Sequence, residues 1–142
     1  MSKGERSRET VSYVMSRNRS KDTKPEVITR KYLFSRGLRY RKNDKRYFGQ
    51  PDMVFPKYNT IVFVHGCFWH RHEGCKHFTM PKVNVDFWEA KFNRNKQRDI
   101  RNIEKLKSLG WRVIVVWECE LKKPLRNERL ERLYNEITVN SL

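Results

Sequence analysis

The chain has 142 residues with 32 Lys+Arg against 16 Asp+Glu, a formal charge of +16, and 37% of its residues are hydrophobic. That length suits one compact domain, and 13% aromatics exclude wholesale disorder. The charge excess calls for a polyanionic partner. No apolar run approaches the roughly 20 residues of a membrane span. The start, Met1-Ser2-Lys3-Gly4-Glu5-Arg6, lacks the apolar segment of a signal peptide, so the chain reads as soluble and intracellular.

Residues 1–50 hold 15 Lys+Arg against 5 Asp+Glu, whereas 51–100 and 101–142 carry +3 each. The N-terminal third therefore reads as a phosphate-binding arm, with residues 1–22 as a basic extension and 23–142 as the folded domain. The arm has no basic amphipathic helix with a broad Leu/Trp face, which favours nucleic acid over a membrane surface.

The first helix begins at Thr23-Lys24-Pro25-Glu26, where Thr23 and Glu26 have capping-box spacing and Pro25 suits the first turn. It runs through Ile28, Tyr32 and Leu33 to a stop at Gly37. An extended stretch over 38–41 and a polar loop over 42–50 lead to a strand at Pro51-Asp52-Met53-Val54-Phe55. Pro56-Lys57-Tyr58-Asn59 is a turn, and the almost wholly apolar run 60–64 is a strand buried on both faces, making a hairpin at the centre of a sheet. Residues 65–84 contain all four histidines and two of the three cysteines without a regular period, as expected of an irregular loop built around a site. A long helix over about 86–109 places Trp88, Phe92, Ile100, Ile103 and Leu106 near helical spacing, with Gly110 as its stop. Trp111–Trp117 reads as another buried strand, and about 127–137 as a last amphipathic helix with Leu130, Leu133, Tyr134 and Ile137 on one face. The order is that of a single α/β domain with a central sheet flanked by helices.

Three cysteines cannot all pair with one another, and a reducing cytosol disfavours disulfides. Cys67, His72 and Cys75 follow C-x4-H-x2-C, and Cys119 ends a strand placed to run beside Val64, so the four would complete a tetrahedral Cys3His zinc site. His65, His70 and His77 compete for the nitrogen position, and three buried core thiols are the plain alternative. Four protein ligands would leave zinc no open position, making it structural. Asp52 precedes a hairpin whose second strand ends beside His65 and His70, an arrangement suited to a divalent cation against a phosphate; its plain reading is a strand-initiating turn residue. The following strand lacks the acid-x-Lys tripeptide of the commonest Asp-based nucleases, so a metal there would need a backbone carbonyl, phosphate oxygens and water. Histidine exchanges protons near neutral pH, which suits His70 to the role of base. Lys91, Asn95 and Asp99 recur every four residues on the long helix, a spacing that would bring Asp99 to His70 while Lys91 and Asn95 face the ligand; a solvated charged face is the plain and more common alternative. Phe68 and Trp69 would be poor core residues on an exposed loop, and aromatic wedges of this kind can enter a base stack; ordinary packing over the sheet is their plain alternative.

The segment His65-Gly66-Cys67-Phe68-Trp69-His70, with Met15-Ser16-Arg17, Lys24-Pro25-Glu26, Pro51-Asp52, Phe87-Trp88, Trp111-Arg112-Val113 and Val116-Trp117-Glu118-Cys119, resembles the very-short-patch repair (Vsr) mismatch endonucleases over about residues 10–121. The resemblance implies a restriction-endonuclease-like PD-(D/E)xK architecture with catalytic Mg2+ and structural Zn2+. It also implies nicking of duplex DNA beside the T of a T:G mismatch, the product of 5-methylcytosine deamination, leaving a 5′-phosphate. By position it implies that Asp52 and the Val64 carbonyl bind Mg2+, that His70 is the base, and that Asp99 orients it. His65 would be a phosphate-side partner, and Glu26 would bond metal-bound water. Cys67, His72, Cys75 and Cys119 would bind zinc, Met15, Phe68 and Trp69 would wedge into the duplex, and Lys91 and Asn95 would read the mispair. A companion cytosine-C5 DNA methyltransferase, a monomeric enzyme and a cytoplasmic location are further expectations. A zinc-stabilised binding module without cleavage and a nuclease with another DNA target are the competing readings.

Overall fold

The computed structural model describes residues 23–76 and 78–139; the expected arm over 1–22, Met15 and His77 lie outside the described residues. Seven elements follow in the expected order: α1 (Lys24–Ser35), β1 (Arg41–Lys42), β2 (Met53–Phe55), β3 (Thr60–His65), α2 (Val85–Ser108), β4 (Arg112–Trp117) and α3 (Arg126–Thr138). The sheet is mixed, in the order β1-β2-β3-β4. The first two pairings are antiparallel, and β3 pairs parallel with β4. The hairpin expected at the centre of the sheet is therefore present. Among the described residues, no helix is long and apolar enough to cross a membrane.

Period-two alternation in β3 sorts its side chains between two cores. Val62 and Val64 join Met53, Phe55 and Val116 under Leu33 of α1 and Leu130, Leu133 and Ile137 of α3. Ile61 and Phe63 join Val54 and pack with Leu106 of α2 on the opposite face. His65 continues the Ile61–Phe63 series, so strand parity aims it toward α2. Among the described residues, α2 is the helix on one face of the sheet, while α1 and α3 share the other.

Several local expectations are corrected. Thr23 is the N-cap of α1 but makes no side-chain capping hydrogen bond. The capping box does not form because Glu26 is buried and turns to Arg30 and Asp52 instead. Of the extended stretch expected over 38–41 only Arg41 is in a strand, the two-residue β1. β4 is an edge strand, half-buried except at Val116, because it pairs on one side only. Ile100 lies 40% exposed, since the inward face of α2 is set by Trp88, Phe92 and Leu106, and Ile100 falls outside that stripe. Gly37 and Gly110 stop their helices with φ of +89° and +96°, a region that side-chain-bearing residues rarely enter.

Leu133 is fully buried between α3 and the sheet. Leu133→Ala is expected to lower unfolding free energy by about 2–5 kcal/mol, read as a lower urea midpoint with unchanged slope; a shift under 1 kcal/mol would show that this core does not carry the fold.

Candidate active site and metal centre

The ladder between β2 and β3 stops at Met53↔Val62, so the backbone of Val64 on that edge has no strand partner. Its N–H donates to Asp52 Oδ2 at 2.5 Å. This bond pins a carboxylate at the point where the sheet opens. Asp52 is 8% exposed and Glu26 of α1 is 2% exposed, and the two carboxyl groups hydrogen-bond each other. Arg30, one helical turn after Glu26, donates to Glu26 Oε2 at 3.1 Å. Burial, then the adjacent Glu26 charge, pushes Asp52 up to about 8, against the smaller opposing pulls of the Val64 N–H and Arg30. Two buried carboxyls with one arginine form an oxygen-rich site short of positive charge, which suits a hard divalent cation.

His65 and His70 stack face to face, with ring centroids 3.9 Å apart and 2° between planes. His70 Nδ1 lies 2.5 Å from Asp99 Oδ2 on α2. The carboxylate can only accept, so Nδ1 carries the proton and Nε2 is left as the acceptor. The four-residue spacing of Asp99 and Asn95 thus does bring Asp99 to His70. Burial, then the neighbouring His70, pushes His65 down to about 3 against the pull of Asp99, so His65 is a neutral imidazole at physiological pH. His65, His70 and Asp99 have ligand atoms within 4.8 Å of one another.

Cys67, His72, Cys75 and Cys119 form a second cluster within 4.8 Å. Cys67 Sγ and Cys119 Sγ lie 3.6 and 3.5 Å from His72 Nδ1. Zinc bonds of about 2.3 Å to sulfur and 2.0 Å to nitrogen place tetrahedral vertices about 3.5 Å apart, so the donor set fits that ion. Burial pushes the Cys67 thiol up to about 12 and raises Cys119 too, so a cation is what would hold them as thiolates. Of the competing nitrogens, His65 and His70 belong to the other cluster. Cys119 does not end the strand as expected but lies in the helical turn Glu118–Leu121 that follows β4; parallel pairing sets Val64 beside Val116, and the Glu120 carboxylate then accepts from the Trp117 N–H at 2.8 Å to turn the chain.

Two features escaped the reading of the sequence. Trp117 joins the clusters: His72 stacks on it at 4.0 Å, and His65 and His70 meet it edge-on at 5.2 and 6.5 Å. Nothing in a lone strand-end tryptophan announces that contact. Arg30 was missed although its i,i+4 spacing from Glu26 is visible in the sequence.

Phe68 and Trp69 are half-buried rather than free of the core. They pack edge-on with each other, and Phe68 meets Phe78, Trp88 and Phe92, because the loop folds over the start of α2. Asn95 Nδ2 donates to the Trp69 carbonyl at 3.0 Å, while Arg71–Glu89 and Lys96–Glu73 ion pairs clasp the loop to α2. Lys91 and Asn95 share the lining of an open concavity on α2 with Arg94, Arg98 and Arg101.

A family profile described as DNA mismatch endonuclease Vsr matches residues 5–77. The chain is 57% identical over 127 residues to the type II nicking enzyme V.NmeAIP of Neisseria meningitidis serogroup A, covering 89% of this chain and 90% of that protein. It is 48% identical over 109 residues to the type II nicking enzyme V.XorIIP of Xanthomonas oryzae pv. oryzae, covering 77% and 79%. It is 42% identical over 117 residues to the DNA mismatch endonuclease Vsr of Escherichia coli K12, covering 80% and 74%.

A folded Asp52 that holds its proton to about 8, against 3.8 when unfolded, favours folding below pH 3.8, and that contribution is lost as the pH rises through 8. Metal-free protein is therefore expected to lose stability across this window and Asp52→Asn to flatten the loss; parallel curves from urea unfolding at each pH would refute this. Native mass spectrometry is expected to find one zinc per chain, lost in Cys75→Ser together with protease resistance of the 65–84 loop; a zinc-free wild type would return the thiols to the core.

Proposed function

The chain belongs to the Vsr family of DNA mismatch endonucleases and is a DNA-nicking endonuclease, and from that premise we propose that it nicks duplex DNA 5′ to the T of a T:G mismatch to begin very-short-patch repair. The His70–Asp99 dyad beside the Asp52–Glu26 acid pair is the observation that carries this reading. In the proposed reaction His70 Nε2 takes a proton from water, whose oxygen attacks phosphorus. The P–O3′ bond breaks, leaving a 5′-phosphate and a 3′-oxygen that takes up a proton. Asp99 holds the imidazole in the required tautomer and steadies the positive charge it gains. His65, neutral, hydrogen-bonds the phosphate rather than neutralising it.

Asp52 and the Val64 carbonyl would hold Mg2+, with Glu26 outside them. A strand residue's N–H and C=O project to the same edge, and the Val64 N–H already meets Asp52 there. Bound Mg2+ would supply charge stabilisation at the phosphoryl group. Zn2+ on Cys67, His72, Cys75 and Cys119 would be structural, fixing the loop that carries His70. The reading extends to a restriction-endonuclease-like PD-(D/E)xK architecture, a basic DNA-contacting arm over 1–22, a chain acting as a monomer in the cytoplasm, and a companion cytosine-C5 methyltransferase that creates the lesion.

Mismatch choice would fall to Phe68 and Trp69 with Met15 as wedges, and to Lys91 and Asn95 at the mispair, since a wobble pair unstacks more easily than a normal one. The edge-to-face stack under Phe68 supports such a wedge by bracing it from behind. The relatives named type II nicking enzymes favour a second reading, in which the same machinery nicks another DNA target.

Strand-specific nicking of T:G and C:G duplexes in methyltransferase-type contexts tests both. Mg2+-dependent nicking confined to T:G is expected, and Asp52→Ala should reduce it roughly a thousandfold or more, because each 1.4 kcal/mol of lost charge stabilisation costs tenfold. DNA binding should survive. Equal nicking of C:G would favour the second reading, and binding without cleavage would overturn both.

A further inference from the structure

The inward face of α2 is set by Trp88, Phe92 and Leu106, and Asn95 and Asp99 lie on the same side, where they meet the loop. Beyond them Lys91, Arg94, Arg98, Arg101 and Lys105 recur at alternating intervals of three and four residues. At 3.6 residues per turn these five fall within an arc of roughly 80° and span about 20 Å of helix axis. The acids Asp86, Glu89 and Glu104 fall on the other flank of the helix.

Among the described residues the cations of this face make few contacts within the fold: Lys105 lies over the Phe48 ring at 5.6 Å, and Arg98 bonds a neighbour on its own helix. Arg71 and Lys96 are ion-paired across the loop, but among the described residues none of the five has a carboxylate within 4.0 Å. Arg94, Arg98, Arg101 and Lys105 are exposed. Arg98 donates to Asn95 Oδ1 at 3.2 Å, and Asn95 in turn holds the Trp69 carbonyl, so the row is continuous with the loop that carries His70. Lines of unpaired like charge repel one another, and a solvated helix face ordinarily intersperses both signs. A polyanion whose charges repeat along a line is the ligand that relieves such a row.

We propose that the Arg94–Arg98–Arg101–Lys105 face of α2, leading away from Lys91 at the mispair, is a phosphate rail that holds the DNA backbone over about five base pairs on one side of the nicking site, without reading sequence. The length follows from about 17 Å of helix against 3.4 Å per base pair. The inference rests on the nickase reading only for where the nick lies; the ligand class follows from the family. It adds a second source of phosphate contacts to the N-terminal arm and makes the footprint one-sided.

The test uses full-length protein with Ca2+ in place of Mg2+ and a matched C:G duplex, with binding followed by fluorescence anisotropy between 50 and 200 mM salt. Each phosphate contact contributes about 0.9 to the slope of log affinity on log salt. The triple variant Arg94→Gln, Arg98→Gln, Arg101→Gln should therefore be shallower by roughly 2.7, so that this salt range costs it roughly fortyfold less affinity than wild type. The corresponding triple Lys variant should keep the wild-type slope, separating charge from guanidinium-specific contacts. A wild-type slope in the folded Gln variant would overturn the rail. Because matched DNA is used without cleavage, failure of mismatch specificity would leave these results intact, and failure of the rail would leave the nicking comparison intact.

Discussion

Parallel pairing of β3 with β4 is the constraint on which the rest of the molecule depends. It sets Val64 beside Val116 and His65 beside Trp117, so two strands distant in sequence end at one level. Past that level the loop from β3 begins with Cys67, the chain from β4 turns through Cys119, and the Cys119 N–H donates to Cys67 Sγ at 3.4 Å. A parallel pair needs a crossover rather than a tight turn, and the crossover here contains both the site-bearing loop and α2. The connection required by topology is the one that carries the chemistry.

The two metal-suited clusters have opposite characters that follow from their donors. Soft thiols and an imidazole, drawn together at tetrahedral spacing, close around one ion and leave no place for a substrate. Two buried carboxyls at the edge of an unpaired strand keep oxygen donors facing a gap where a phosphate can complete the shell. Trp117 lies between the thiol cluster and the His65–His70 pair, with His72 on its face and His65 and His70 at its edge. Order at the thiol cluster is thereby transmitted to the histidines by packing, without any shared ligand.

The cost of the acid site is visible in its electrostatics. Asp52 and Glu26 sit together in low dielectric, with Arg30 as the nearby cation, and the strain appears as a carboxyl that keeps its proton near neutral pH. The same burial keeps His65 neutral and leaves His70 as the imidazole held by Asp99. Glu26 shows how such a site is assembled: a residue with ideal capping-box spacing abandons the cap, because a buried carboxyl gains more from Arg30 and Asp52 than from an exposed helix end.

The sequence by itself determined the order of elements, the apolar hairpin, the helix stops at Gly37 and Gly110, and the clustering of histidine and cysteine after β3. Those are local matters of period, turn chemistry and composition. Spacing of four along α2 also anticipated Asp99 against His70, since helical neighbours are set by backbone geometry. Tertiary structure alone decided that β4 is an edge strand, that Ile100 faces water, that Phe68 and Trp69 rest on the aromatics of α2, and that Trp117 bridges the two clusters. Each depends on which surfaces meet across the sheet, and short apolar runs carry no record of their distant partners. The partition of His65, His70 and His72 between two sites was hidden for the same reason: alternation along β3 points His65 to α2, and only the packed loop brings His70 onto its face and leaves His72 with the thiols.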